Sequence, residues 1–205
     1  MVSIAILAGG KSERMGRDKA FVEVGNRPII ERILARVRPL TDDLFICTNA
    51  PARYAQFGLR LVGDAYPHKA SLGGIYSALK AAHHHWVLVV ACDMPFLNEA
   101  LLQHLINLAP TADIVLPQID PLGPETLHAV YGKTCLPVIK SRLQANQLRI
   151  IDFFDDVSIR YVPRDEVAQF DPHFYSFMNV NTPADWQKAQ AIAAYLDDAR
   201  EKAKK

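Results

Sequence analysis

The sequence predicts an α/β protein with three layers, in which helices cover both faces of a mostly parallel central sheet. Short apolar runs alternate with helical patterns through the first half of the chain, as in βαβ units. The most apolar run, WVLVVA at residues 86–91, is typical of a central strand that is buried on both faces. Segments in the second half alternate with a period of two, which predicts some antiparallel pairing.

Composition limits the classes of protein to consider. A chain of 205 residues, half of them hydrophobic, can bury one sizeable core, so we expect a single domain over residues 1–205. The formal net charge of +1 gives no reason to expect nucleic acid or a membrane as a partner. The three cysteines are widely spaced, and the apolar N-terminal run is too short for a signal peptide or a membrane span. We therefore expect reduced thiols and a cytoplasmic location.

The first half is predicted to alternate between strands and helices. After Pro28, the stretch IIERILARVRPL repeats its apolar residues at helical spacing, and proline is common in the first turn of a helix. The apolar face of this helix consists of Ile29, Ile30, Ile33, Leu34 and Val37. The other elements predicted in this half are strands at 3–7, 43–48, 59–62 and 86–91, a short helix at 51–57 and a helix from Gly73 through residue 85. The three histidines at 83–85 are expected at that helix end, where neighbouring side chains diverge by about 100° and do not share one metal ion.

The second half is less regular. Asn98 is predicted to cap a helix that runs to about residue 108, because an asparagine oxygen can accept from the unpaired amides of the first turn. The final helix is predicted from Pro183, directly after Thr182. The remaining predictions are strands at 113–117, 126–131 and 157–162 and a helix at 137–145.

The stretch ILAGGKSERMGRDKAF, residues 6–21, carries the clearest chemical signal. A Walker A loop needs a glycine where Ala5 stands, and a dinucleotide fingerprint needs a spacing that Gly9, Gly10 and Gly16 do not supply. The loop nevertheless offers three successive amides without bulky side chains, those of Ala8, Gly9 and Gly10, which can form an anion-binding concavity.

Cations follow these glycines. Arg14 can grip phosphate oxygens with two hydrogen bonds, and Lys19 can act as a point charge. The pattern indicates a loop that binds the triphosphate of a nucleotide. The alternative is an ordinary strand-to-helix turn with solvated charges.

Asp93 follows the most apolar strand directly. Ligands of open α/β sheets bind at the carboxyl ends of the strands, so this carboxylate is placed to hold Mg²⁺ on the phosphates. The alternative is an aspartate that caps the next turn. Asn179 and Asn181, in the segment FMNVNTP, point the same way if that stretch is extended, and Asn181 is a second candidate for metal or acceptor contact. It too has an alternative role, as a residue of the turn that starts the last helix.

The segment LAGGKSERMGRDKA resembles the LAGG-x-S-x-R-M-G-x-D-K signature of nucleotidyltransferases with a GT-A-like, Rossmann-like fold, and in particular that of the molybdenum cofactor guanylyltransferases. The resemblance implies that residues 1–95 bind GTP and that residues 96–205 bind the acceptor. It assigns the chemical step to Arg14, Lys19 and Asp93, with Mg²⁺ as the cofactor. The implied GTP contacts are Leu7, Ala8, Gly9, Gly10, Lys19, Asn49, Asp64, Leu72, Gly73 and Asp93.

Several of these positions rest on their place in the family pattern. Asn49 follows the second strand and Asp64 the third, where the family uses an asparagine and an aspartate for the nucleotide; the Asp64 carboxylate could accept from ribose hydroxyls or from guanine. Leu72 and Gly73 stand in KASLGG, which lacks the Gly-Pro start of the family's G-P-L-[AG]-G turn. On the acceptor side, Thr126 replaces a family proline, whereas Arg149 with IIDFF resembles the family's turn and joins Asn179 and Asn181 as an acceptor contact.

The expected reaction is transfer of GMP from GTP to the molybdopterin of the molybdenum cofactor, with release of pyrophosphate. Molybdenum enzymes or their chaperones are expected partners. One alternative is a related enzyme that uses CTP on molybdopterin or a nucleotide on a sugar or polyol phosphate. Another is a GTP-binding module for molybdenum enzymes that performs no catalysis.

Overall fold

The computed structural model describes residues 1–9, 19–119 and 123–202, with side chains as far as residue 196. Gly10 and Arg14, which the sequence assigns to the phosphate loop, lie outside these ranges. Within them, seven strands form one sheet and two more form a small hairpin. The strands are β1 (Val2–Leu7), β2 (Glu23–Val24), β3 (Arg27–Pro28), β4 (Asp43–Cys47), β5 (Arg60–Val62), β6 (Trp86–Ala91), β7 (Ile114–Gln118), β8 (His128–Gly132) and β9 (Ile159–Pro163).

The sheet has the order β5-β4-β1-β6-β8-β7-β9. All neighbours pair in parallel except β8, which runs antiparallel to both β6 and β7. The predicted mixture of parallel and antiparallel pairs is therefore confirmed. β6 is the fourth of the seven strands, so the most apolar run is the central strand, as the sequence indicates.

Helices lie on both faces of this sheet. They are α1 (Ile29–Val37), α2 (Pro51–Tyr54), α3 (Ala70–Ala81), α4 (Glu99–Leu108), α5 (Leu136–Gln144), α6 (Arg164–Ala168) and α7 (Pro183–Lys202). Short 3₁₀ turns stand at Lys19–Phe21, Arg38–Leu40, Ala55–Phe57, Ala109–Thr111, Lys133–Cys135, Ile150–Asp156 and Tyr175–Phe177. In the described part of the chain, no helix combines the length and the apolar character needed to cross a membrane.

Two hydrophobic cores separate the three layers. Ile4 and Ile6 of β1 point into the first core, where α1, α4, α6 and α7 pack, whereas Ala5 and Leu7 point into the second, where α3 and α5 pack. This alternation follows from the period-two geometry of a strand. The five predicted apolar residues of α1 are all buried, so that face of the helix is confirmed. Asn98 caps α4 as predicted, accepting the Leu101 amide hydrogen at 3.0 Å.

The boundaries of α3 differ from the prediction. The helix begins at Ala70 instead of Gly73 and ends at Ala81, so the three histidines lie beyond it. It stops early because the buried carboxylate of Asp43 accepts from the His83 amide at 2.8 Å, and the Ser3 hydroxyl accepts from the His84 amide at 3.0 Å. These partners draw the chain out of the helix toward β6. The strand predicted from residue 126 also begins two residues later, at His128.

Candidate active site

Three parallel strands end at the same level and bring the residues that follow them to one edge of the sheet. The Ala8 amide donates to the Cys47 carbonyl at 2.8 Å, and the Cys92 amide donates to the Leu7 carbonyl at 3.1 Å. The ladder thus continues one residue past the strands. Among the described residues, no atom lies within 4 Å of the place where a Cβ on Gly9 would stand. We call this edge the carboxyl edge of the sheet.

Asp93 and Lys19 lie near enough to each other at the carboxyl edge for their charges to interact. Burial raises the pKa of Asp93 above its usual value, and the positive charge of Lys19 opposes this rise. Lys19 begins a 3₁₀ turn whose next residue, Ala20, is fully buried. The Val22 amide donates to the Lys19 carbonyl at 3.1 Å, which closes this turn. The closed turn therefore fixes the backbone of Lys19.

The segment before α7 reaches the same point. The Lys19 Nζ donates to the Asn181 Oδ1, although the two residues are 162 positions apart. The Val180 amide donates to the Asp93 carbonyl at 2.9 Å, which ties this segment to the end of β6. Asn179 donates locally from its Nδ2 to the Phe177 carbonyl at 3.4 Å. The structure therefore brings together Lys19, Asp93 and Asn181, three of the predicted site residues.

Asn49 and Asp64 form a reciprocal pair on the far side of β1. The Asn49 Nδ2 donates to the Asp64 Oδ2 at 2.6 Å, and the Asp64 amide donates back to the Asn49 Oδ1 at 3.0 Å. Both residues follow strands β4 and β5, and the Thr48 amide extends that ladder by donating to the Val62 carbonyl at 2.8 Å. The pair fixes the Asp64 carboxylate at the carboxyl edge.

The predicted GTP contacts at the start of α3, Leu72 and Gly73, are both buried, and the Gly73 amide donates to the Lys69 carbonyl at 3.0 Å. The Leu72 side chain is fully buried in the second core, and Leu7 is 7% exposed. A Cβ on Gly73 would stand 3.0 Å from the Tyr66 carbonyl oxygen, so only glycine lets the chain at 66–69 lie this close to the helix. Ala70 has a φ of 50°, a left-handed conformation that glycine adopts readily and alanine does not.

Arg149 lies apart from the cluster of Lys19, Asp93 and Asn181. It is exposed and stands 3.8 Å from the Asp152 carboxylate at the start of the 3₁₀ turn. The segment before it is tied to α3, because the Lys69 Nζ donates to the Asn146 Oδ1 at 2.7 Å. Among the described residues, no contact joins Arg149 to the other predicted site residues, and its role toward the acceptor stays a prediction.

Two residues of this region were missed by sequence reasoning. Asp185 accepts from the backbone of Asn181 and Thr182, and its signal was the spacing Thr182-x-x-Asp185, which is that of a capping box. His128, the first residue of β8, is fully buried and lies 4.9 Å from the Phe177 ring. Neither ring nitrogen has a hydrogen-bond partner among the described residues, and burial lowers the pKa of His128 to about 3. No periodic pattern distinguishes such a histidine from an apolar core residue.

The residues at the carboxyl edge fit Mg²⁺ better than a transition metal. Within the described ranges, no three His, Cys, Asp or Glu side chains form a closed metal site. The Asp93 carboxylate and the Asn181 amide oxygen are hard donors, and Lys19 lies beside both. Mg²⁺ typically binds one or two protein carboxylates and fills its other positions with water and phosphate oxygens.

Comparison with known proteins agrees with this fold. A probable molybdenum cofactor guanylyltransferase from Pelotomaculum thermopropionicum is 35% identical over 92% of this chain and 91% of its own. A molybdenum cofactor guanylyltransferase from Desulfosudis oleivorans is 34% identical over 91% of this chain and 93% of its own. The crystal structure of molybdopterin-guanine dinucleotide biosynthesis protein A from Archaeoglobus fulgidus superposes with a TM-score of 0.85 and 26% identity, covering 95% of this chain and all of the other.

The family model for the MobA-like NTP transferase domain matches residues 4–156. The match begins in β1 and extends through the 3₁₀ turn that follows Arg149. It includes Lys19 and Asp93 as well as the Asn49 and Asp64 pair. The chain therefore belongs to the MobA-like NTP transferase family.

Proposed function

We propose that this protein transfers GMP from GTP to the molybdopterin of the molybdenum cofactor, forming the guanine dinucleotide cofactor and releasing pyrophosphate. The observation that carries the proposal is the convergence of Lys19, Asp93 and Asn181 at the carboxyl edge. A cation, a carboxylate and a segment from the far end of the chain meet where a nucleotide and an acceptor phosphate would have to meet. The names of the relatives supply the guanine nucleotide and the acceptor.

The proposed step needs no nucleophile from the protein. An oxygen of the molybdopterin phosphate attacks the α-phosphorus of GTP, a new P–O bond forms, and the bond to pyrophosphate breaks on the opposite side. Because the attacking group is already anionic, catalysis consists of alignment and of neutralising charge. Lys19 supplies positive charge at a fixed place. Of the predicted loop amides, that of Ala8 already donates to the Cys47 carbonyl, so the Gly9 amide would supply the hydrogen bond to a phosphate oxygen.

We further propose Asp93 as the Mg²⁺ ligand; the Asn181 Oδ1, the second predicted ligand, is engaged instead by the Lys19 ammonium group. When bound, Mg²⁺ would draw negative charge from the phosphate oxygens and so assist the displacement. The fit rests on the oxygen donors described above and on the buried position of Asp93. Lys19 would hold the phosphates from another side, because its ammonium group has three hydrogens to donate and Asn181 takes one of them.

The remaining predicted contacts divide between the two substrates. For GTP we propose Leu7, Gly10, Asn49, Asp64, Leu72 and Gly73, and for the acceptor Arg149 and Asn179. The supporting facts are the fixed Asp64 carboxylate and the close packing at Gly73. Residues 1–95 would then bind the nucleotide and residues 96–205 the acceptor. Molybdenum enzymes or their chaperones would receive the product in the cytoplasm, a compartment with which three unbridged cysteines agree.

The experiment that tests the proposal measures pyrophosphate release from GTP, CTP, ATP and UTP with Mg²⁺ and molybdopterin. We expect release with GTP and the acceptor together. Release with CTP and the acceptor, but with none of the other three nucleotides, would indicate the related cytidylyltransferase. Binding of GTP without release under any acceptor would indicate the module that performs no catalysis.

A further inference from the structure

The first turn of α7 holds the segment that carries Asn181. A single oxygen, the Asp185 Oδ2, accepts from the Asn181 amide at 3.1 Å, the Thr182 amide at 2.8 Å and the Thr182 hydroxyl at 2.9 Å. The Asp185 amide donates back to the Thr182 hydroxyl at 3.2 Å. An ordinary capping box satisfies the amide of the capping residue, here Thr182. This one also binds the amide of Asn181, which lies outside the helix.

The same helix holds the chain that follows Lys19. The Trp186 Nε1 donates to the Glu23 carbonyl at 2.8 Å, and the Gln190 Nε2 donates to the same oxygen at 3.2 Å. The Gly25 amide donates to the Gln190 Oε1 at 2.8 Å. These bonds attach the β2–β3 hairpin to α7. One rigid element therefore fixes both sides of the contact between Lys19 and Asn181.

We propose that Asp185 is a positioning residue for the nucleotidyl transfer, acting on Lys19 through Asn181. The inference rests on the proposed function, because the reaction gives the position of the ammonium group its importance. A lysine side chain has four rotatable bonds, and its ammonium group needs a fixed partner to remain in one place. The side-chain oxygen of Asn181 is that partner. Asp185 fixes the backbone of Asn181 and so the position of this side chain. Loss of the Asp185 carboxylate would free this backbone and let the ammonium group move away from the phosphates.

The test compares Asp185→Ala with Asp185→Glu. We expect Asp185→Ala to lower kcat about 10-fold while the KM for GTP changes by less than about twofold, because a small displacement of a charge-neutralising group costs transition-state stabilisation more than binding. Glutamate is common at this position of a capping box, so Asp185→Glu should restore most of the rate. Glu99→Gln is the matched control, since Glu99 is also an acidic residue in a first helical turn but belongs to α4. Equal kcat values for Asp185→Ala and the wild type would overturn the proposal.

A double-variant cycle separates positioning from general support of the fold. In an Asn181→Ala background, Asp185→Ala should cause no further fall in kcat, because the route through Asn181 is already lost. Independent, multiplicative losses would overturn the proposal. Should Asp185→Ala fail to fold, as judged by circular dichroism, Asp185→Leu replaces it in the cycle, since leucine keeps the approximate size and branching of the side chain and has no acceptor oxygen.

A measurement that does not depend on enzyme activity tests this inference separately from the proposed function. The rate at which an amine-acylating reagent modifies Lys19, measured by mass spectrometry, should rise in Asp185→Ala and stay at the wild-type value in Glu99→Gln. A wild-type protein that releases no pyrophosphate from any nucleotide would contradict the proposed function. Equal modification of Lys19 in wild type and Asp185→Ala would contradict the positioning role, whatever the reaction is.

Discussion

The position of the Lys19 side chain at the carboxyl edge is fixed by several contacts. Its neighbour Ala20 is buried, its charge acts on the Asp93 carboxylate, and its Nζ donates to Asn181. We expect Lys19→Ala to lower the rate of pyrophosphate release about 100-fold, because a preorganised charge at a reacting phosphate is worth that much in comparable sites. Lys80→Ala, which removes an exposed lysine from α3, should leave the rate unchanged. A wild-type rate in Lys19→Ala would remove this residue from the chemistry.

Asp93 illustrates a conflict between stability and function. Its pKa is raised chiefly by burial, so its charged form is less favourable in the folded protein than in water. We expect Asp93→Asn to keep or raise the thermal midpoint while abolishing Mg²⁺-dependent turnover. Calorimetry and the pyrophosphate assay, with Asp165→Asn on α6 as the control, check both parts. A large fall in the midpoint would show instead that the carboxylate is needed for folding.

His128 should make the fold sensitive to acid. Its pKa is lowered from 6.5 to about 3 by burial, so below pH 6.5 the unfolded chain binds a proton that the folded chain does not. Stability contributed by the neutral imidazole is therefore complete above pH 6.5 and is lost progressively as the pH falls toward 3. Between pH 7 and pH 5 this amounts to about 2 kcal/mol, at about 1.4 kcal/mol per pH unit below 6.5.

Urea unfolding of wild type and His128→Leu at these two pH values measures the effect. The variant should lose about 2 kcal/mol less than the wild type, because it has no imidazole to protonate when unfolded. His173→Gln, which removes an exposed histidine, should behave like the wild type. Identical losses in wild type and His128→Leu would contradict the burial argument.

At the scale of elements, the turn into α3 carries backbone strain. Ala70 and His68 both have positive φ angles, of 50° and 64°. We expect Ala70→Gly to raise the free energy of unfolding by about 0.5–1 kcal/mol, since glycine adopts this conformation without a clash. Ala191→Gly in α7 is the control and should lower stability by about 1 kcal/mol, as glycine does inside helices. A loss of stability in Ala70→Gly would mean that the alanine methyl group packs favourably.

Elements were predictable where local pattern and tertiary contact agree. The five apolar positions of α1 and the apolar run of β6 are buried because of their own hydrophobicity. The helix and the central strand were therefore both assigned correctly. The bounds of α3 were wrong because distant groups decide them. Asp43 and Ser3 accept from the amides beyond its end, and the helix begins three residues before Gly73, at Ala70, where the chain at Tyr66 packs against it.

For the whole molecule, the site is assembled from segments that are far apart in sequence. The position of Asp93 could be predicted, because it follows the central strand and the fold class places that strand end at the carboxyl edge. The contact between Lys19 and Asn181 could not, since it depends on how α7 packs against the β2–β3 hairpin. The acceptor contact at Arg149 depends on a ligand-bound arrangement and stays a prediction.

Binding of the nucleotide should stabilise the molecule as a unit. At about 100 times its dissociation constant, a ligand that binds only the folded state adds about 2.7 kcal/mol. For a chain of this size that shifts the thermal midpoint by roughly 5–10 °C. We expect such a shift with GTP and Mg²⁺ and a smaller one with CTP at the same concentration. Equal shifts with all four nucleoside triphosphates would show that the pocket does not select the base.

The hydrogen bond between Lys19 and Asn181 has a consequence for the interval between successive reactions. When pyrophosphate departs, the amine loses its anionic partners, and a lysine without a partner would spread over many rotamers in solvent. In the structure, Asn181 accepts from one of the three N–H groups of Lys19. The next nucleotide therefore meets an amine that is already in place, and less conformational entropy is lost with each substrate that enters.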